Sequence, residues 1–224
     1  ACNTLKTRTA YHHLKSIDNL DLYYDYLKGV ISRDLLWDSV PADLIRSVIN
    51  KEISEETIPE IFSITDEILN GEDVDIIIGG PPCQAYSIAG RARDPKGMAD
   101  DPRNHLYLHY VQFLKKYTPK VFVFENVPGI LSAANGVYLE KILTAVREAG
   151  YELGYEVLNS KDFGVLQDRK RVIIIGWKKE LNLAYPKFEA SAPIYTIIND
   201  LFSDLPKIKS GCGDLGPMKY SGPT

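Results

Sequence analysis

Three short stretches stand at the borders of apolar runs, and each carries a residue type that could do chemistry. The first is Gly79-Gly80-Pro81-Pro82-Cys83-Gln84-Ala85-Tyr86-Ser87, directly after the apolar run 73–78. If that run is a buried strand, the loop leaves its carboxyl end, where open α/β sheets hold their ligands. The glycines let backbone approach a ligand closely, and the prolines stiffen the approach to Cys83. A thiolate held there would be a nucleophile. Taken alone, such a cysteine is more often a small apolar plug.

The second stretch, Glu125-Asn126-Val127-Pro128-Gly129, follows the run 120–124. If the two strands are neighbours, joined by a right-handed crossover through the helical stretch 104–117, Cys83 and Glu125 share one rim of a sheet. A nucleophile and an acid converging on one crevice form a catalytic constellation. The third stretch is Gln167-Asp168-Arg169-Lys170-Arg171, running into the apolar residues 172–177. In an extended chain Gln167, Arg169 and Arg171 point to one side. Two guanidiniums and an amide on one face suit phosphate and base oxygens, although an edge strand with a solvated charged face has the same composition.

The rest of the chain must position these groups. Residues 1–70 are mostly helical in pattern, with Leu20, Leu22, Tyr23, Tyr26 and Leu27 spaced to share a face, and 34–51 reads as helix interrupted near Pro41. From residue 73 the texture changes. Strands are expected at 73–78, 120–124, 156–160 and 171–177. Between them, helix 104–117 buries Leu106, Tyr110, Phe113 and Leu114, and helix 138–149 turns Leu139, Ile142, Leu143 and Val146 inward and ends at Gly150. Strand–helix alternation with nearly continuous apolar strands implies an α/β fold, a mainly parallel sheet with helices on both faces.

Composition narrows the field further. A net charge of −4 argues against a chain coated in basic surface, yet leaves room for a local basic groove. Cys2, Cys83 and Cys212 are too scattered for a disulfide framework or a zinc site, so the chain reads as intracellular, with no metal. His12 and His13 read as a solvated helix face. His105 and His109, four apart, read as surface or packing residues. No run approaches the ~20 apolar residues of a membrane span, so no membrane partner is expected. The start has neither a leader nor an initiator Met and reads as the middle of something longer.

In this order and spacing, PCQ, ENV and QxRxR resemble the signature blocks of the C5-cytosine DNA methyltransferases, from about residue 73 to 177. The resemblance implies a Rossmann-like, S-adenosylmethionine-dependent core acting on double-stranded DNA. Cys83 would add to C6 of the cytosine, Glu125 would hold its N3 and amino edge, and Arg171 its O2. Arg169 would position phosphate and loop atoms. Asn126 and Pro82 would fix the Cys83 loop, and Gln84, Ser87 and Gln167 would touch the substrate. Because an atom inside a duplex cannot be reached, the base must flip out. Residues 84–103, with Arg91, Arg93, Lys96 and Arg103, resemble the family's mobile catalytic loop.

A complete family member opens with a Phe-x-Gly-x-Gly turn for the cofactor, and this chain has none. Its next cofactor block aligns with Phe62-Ser63-Ile64-Thr65, placing Ser63 where an acid is usual, with Asp66 as a substitute. Ser63, Ile64 and Leu106 are the expected cofactor contacts. The expected layout is a catalytic domain over 1–180 and a lead-in to the target-recognition region over 181–224. Both ends read as truncated, as in a fragment or one subunit of a split enzyme that needs a further segment. The alternatives are a tRNA-directed relative and a non-catalytic DNA-binding piece. The setting implied is the cytoplasm of a bacterium or a phage host, beside the nucleoid.

Overall fold

Apolar residues gather in two separate clusters, and the chain folds around each. The computed structural model describes residues 1–81, 106–192 and 198–203. The first cluster belongs to four short helices, α1 (Cys2–Ser16), α2 (Asp21–Leu27), α3 (Arg33–Asp38) and α4 (Ala42–Arg46). Ala10 and Leu14 of α1 are buried against Leu36 and Val40, with Leu20, Leu22, Tyr23 and Tyr26 around them. Leu27, expected on the same face, is exposed instead, because α2 ends there. Ser32 starts α3 by accepting from Leu35 N at 3.2 Å. Pro41 separates α3 from α4, as its missing N–H requires.

The helix α5 (Ile58–Leu69) bridges to the second cluster. Its Phe62 meets Phe113 and Tyr117 edge-on, at 5.0 and 5.5 Å between ring centres. Those two rings lie on α6 (Leu106–Tyr117), which follows β1 (Ile76–Gly79) and precedes β2 (Val121–Asn126). Next come α7 (Val137–Glu148), β3 (Tyr151–Asn159) and β4 (Lys170–Lys178). A last helical turn, α8, covers Ile198–Leu201.

The fold class is α/β and Rossmann-like, and its sheet is more mixed than the strand pattern implies. The strand order is β1-β2-β4-β3. β1 and β2 pair in parallel, whereas β4 pairs antiparallel with both β2 and β3. Thus β1, β2 and β3 run one way, and β4 inserts between two of them in the opposite direction. The cause is the short link from β3 to β4, residues 160–169. A parallel return needs a crossover of roughly a dozen residues or more.

One face of this sheet is dry. Phe122, Phe124, Val172 and Ile174 are buried beneath Tyr107, Tyr110, Val111 and Leu114 of α6 and Leu139, Ile142, Leu143 and Val146 of α7. Gly176 is required there, because a Cβ would stand 2.1 Å from the Phe122 ring. Leu106 and Phe113, expected in this core, are only partly buried, because they face α5 and a cavity described below. The opposite face is covered unevenly among the described residues. Tyr185 lies over Gly154 and donates to Ile173 O at 3.0 Å, yet Ile76 and Ile78 remain 49% and 71% exposed.

Candidate functional site

The carboxyl ends of β1 and β2 lie side by side because their register pairs Gly79 with Phe124. Tyr110 of α6 pins this junction, donating from its hydroxyl to Ile77 O at 3.2 Å and to Val123 O at 3.0 Å. Burial pushes its phenol well above the usual tyrosine range, so it stays a donor. The two glycines have neighbours that explain them. A Cβ on Gly79 would lie 2.8 Å from the Tyr110 ring, and one on Gly80 would lie 2.9 Å from both the backbone O and Oε2 of Glu125. They admit Tyr110 and Glu125, where the sequence suggested room for a ligand.

Asn126 completes the junction. Its side chain is 1% exposed, donates from Nδ2 to Pro81 O at 3.4 Å and accepts from Val127 N at 2.9 Å. The loop after β1 is therefore tied to the loop after β2. Pro82, Cys83, Gln84 and Ser87, the remainder of 84–103 and His105 lie outside the described residues.

Glu125 points to the sheet face opposite the packed core, and so does Arg171, because β2 and β4 pair Glu125 with Ile173. The two side chains meet, Arg171 Nε to Glu125 Oε1 at 2.5 Å. Arg171 Nη1 also donates to Lys170 O at 2.7 Å. The Glu125 side chain is 42% exposed, so water screens the pair and its share of stability is on the order of 0–1 kcal/mol. Its consequence is orientation: a carboxylate and a guanidinium are fixed on one rim, beside Gly80 and Pro81.

The period-two face does not extend back to Gln167. Strand β4 begins at Lys170, and Gln167 sits in a bend with its N–H on Val165 O at 2.8 Å. Arg169 lies just before the strand, exposed. The residue organising this turn is Asn159, which the sequence reading missed. It is 6% exposed and donates to Asp168 Oδ1 at 2.8 Å, and its Oδ1 accepts from Arg169 N at 3.1 Å and Lys161 N at 3.4 Å. The hydrogen bond from Asn159, and then Lys161, hold the Asp168 carboxyl below its usual range. The signal was an asparagine following the apolar pair Val157-Leu158 and opening a polar turn.

Beside Gly80 and Pro81 opens a cavity of about 460 Å³, walled by apolar side chains of β1 and α6. Leu106 lines it. Ser63 and Ile64 do not; they lie on α5, where Ile64 lines a separate groove with Arg46 and Asn50. Asp66 is also elsewhere, paired with Lys116 at 2.8 Å. The positions at the cavity are held by Glu52 and Ile53. They are set by a reciprocal turn in which Ser54 N donates to Thr57 Oγ1 at 3.0 Å and Thr57 N to Ser54 Oγ at 3.3 Å. That Ser-x-x-Thr pattern ahead of an apolar helix was the legible signal. Among the described residues no group of three or more His, Cys, Asp or Glu could hold a metal ion, and no helix is long and apolar enough to cross a membrane.

An α/β core with an apolar cavity and a charged rim at the carboxyl ends of parallel strands has the arrangement in which open α/β sheets hold their ligands. Residues 44–215 match the family model of the C-5 cytosine-specific DNA methylases, and the chain belongs to that family. It is 36% identical to the Type II methyltransferase M.Bpa9945I of Bacillus paralicheniformis, over 98% of this chain and 57% of that protein. It is 42% identical to the Type II methyltransferase M.MthTI of Methanothermobacter thermautotrophicus, over 61% of this chain and 40% of that one. A crystal structure of an E. coli prophage protein, described as a DNA modification methyltransferase, superposes with a TM-score of 0.51 at 30% identity, covering 70% of this chain and 40% of that one. The chain therefore spans about half the length of the relatives it matches. The family match begins after α3, leaving the first three helices outside it.

Proposed function

We propose that the intact protein is a DNA (cytosine-5-)-methyltransferase that moves a methyl group from S-adenosylmethionine to C5 of a flipped cytosine. The observation that carries this reading is the Glu125–Arg171 pair on the rim beside Gly80 and Pro81, two residues before Cys83 in sequence. A cytosine ring entering there meets a carboxylate and a guanidinium already oriented. Glu125 takes the N3 and amino edge, and Arg171 gives hydrogen bonds to O2, where negative charge develops. The thiolate of Cys83 adds to C6, which leaves C5 electron-rich. C5 takes the methyl group as its bond to the sulfonium breaks, releasing S-adenosylhomocysteine. Loss of the C5 proton to a base then expels the thiolate and restores the ring, for a net release of one proton.

The cavity fits the adenosine part of the cofactor. Ile53, Leu106 and Pro81 offer apolar faces to a purine, and Glu52 offers a carboxylate acceptor for its exocyclic amine. Asn126 holds Pro81, two residues before Cys83 in the sequence, against β2. Double-stranded DNA is the substrate we assign, with residues 181–224 leading toward the part that reads sequence. The Type II methyltransferases among its relatives support a place in a restriction–modification system. The test is methyl transfer from labelled S-adenosylmethionine to duplex DNA by the intact protein. Label should appear at C5 of cytosine and vanish with Cys83→Ser. Label on adenine, or on tRNA alone, would refute the assignment.

A further inference from the structure

One side chain at the cavity is not used by that scheme. His109 sits on α6, one turn after Leu106, and lines the cavity with its side chain only 16% exposed. Its Nδ1 is shut off from solvent and has no hydrogen bond of good geometry. It faces Glu55 Oε1 at 3.4 Å, inside ion-pair reach. Glu55 is held in turn by Gln112, whose Nε2 donates to its two oxygens at 3.1 and 3.3 Å. Gln112 and His109 are three residues apart on α6, so one carboxylate from the segment before α5 is shared by two neighbours on the helix.

A carboxylate beside Nδ1 favours the tautomer that carries the proton on Nδ1, and leaves Nε2 as a lone-pair acceptor. Glu52, on the same cavity wall, is also an acceptor. A wall with two acceptors and apolar surroundings suits a ligand group with two hydrogens, which is what the exocyclic amine of a 6-aminopurine presents. A 6-oxo purine would turn an acceptor toward acceptors and leave them unsatisfied, which is costly in a desolvated site.

We propose that His109 is a further specificity-determining residue of the cavity, accepting through Nε2 from the amino group of the purine, with Glu55 and Gln112 holding the ring. The inference rests on the reading of this cavity as the cofactor site. Titration calorimetry of the intact protein with S-adenosylhomocysteine and with its 6-oxo analogue, S-inosylhomocysteine, tests it. His109→Phe should weaken S-adenosylhomocysteine about tenfold and change the analogue little, since one hydrogen bond is lost from the first only. His109→Gln, whose amide oxygen reaches a similar position, should recover part of the loss. Glu55→Gln, an exposed change that leaves the core untouched, should weaken the amino ligand a few-fold by releasing the tautomer. Equal weakening of both ligands by His109→Phe, or no change in either, would overturn the role of His109. Failure of the unaltered protein to bind S-adenosylhomocysteine would overturn the cavity assignment and this inference with it.

Discussion

The two faces of one sheet divide the work of this protein between them. On β2, Phe122 and Phe124 point into a core closed by α6 and α7, whereas Glu125, one residue on, points to the other face. On β4, Val172 and Ile174 join the same core, and Arg171 stands with Glu125. The dry face holds the strands in register. The other face, with Ile76 and Ile78 largely exposed, bears the charged pair. Because the side-chain period of a strand is two, packing on the first face fixes the position of the Glu125–Arg171 pair on the second to within one residue.

That division can be broken from either side. The largest effect on stability should come from Phe122→Ala, which deletes a fully buried ring touching Tyr110 and Tyr151 and should cost about 3–5 kcal/mol in a denaturant melt. Ile78→Ala, on the open face, should cost under about 1 kcal/mol by the same measurement. Arg171→Ala should invert the pattern. Its melt should stay within about 1 kcal/mol of the parent while turnover falls on the order of 10²–10³-fold, the size expected when one donor to a developing charge is removed. Lys170→Ala, exposed at the start of β4, should leave turnover nearly unchanged. Equal losses at 170 and 171 would end the two-face account.

Smaller effects should come from the turn that delivers Arg171. Asn159→Ala strands the amides of Arg169 and Lys161 and should cost about 1–3 kcal/mol. Asp168→Asn should act least, and its effect should depend on pH. Its carboxyl is held below its ordinary range, so its contribution is present above the unfolded-state value and fades as pH falls through the folded one. The parent should therefore lose this share of stability in acid, and Asp168→Asn should not. Because the group is exposed, the difference should be small and should shrink with salt.

Much of this arrangement was legible because it is local. An apolar run that stops at Gly79-Gly80 or at Glu125-Asn126 declares its own end, and α6 and α7 repeat apolar residues every three or four positions, so β1, β2 and both helices fall within a few residues of the reading. What escaped depends on pairing partners. The nine-residue length of β3 was hidden by Glu152, Gly154 and Glu156, which interrupt its apolar residues. The insertion of β4 between β2 and β3 could have been argued from the short 160–169 link. Instead, nearly continuous apolar residues at 172–177 suggested another parallel strand. Gln167 was drawn onto that strand by a pattern the backbone does not continue.

The cavity shows the same limit more sharply. Ser63 and Ile64 lie on α5 away from it, and Glu52 and Ile53 occupy it because the Ser54–Thr57 turn brings them there. His109, readable from sequence as either a surface or a packing residue, is half-buried because the segment before α5 meets α6 at Glu55. Spacing along a helix gives the face a residue is on. It does not give what that face meets.

The central claim is that this rim directs Cys83 onto C6 of a cytosine held by Glu125 and Arg171. Duplex DNA carrying 5-fluorocytosine tests it most directly, because fluorine at C5 cannot leave as a proton and the thiolate cannot be expelled. With S-adenosylmethionine present, the intact protein should form a denaturation-resistant adduct, mapped by mass spectrometry to Cys83, and Cys83→Ser should form none. An adduct at Cys2 or Cys212, or one that persists in Cys83→Ser, would contradict the account.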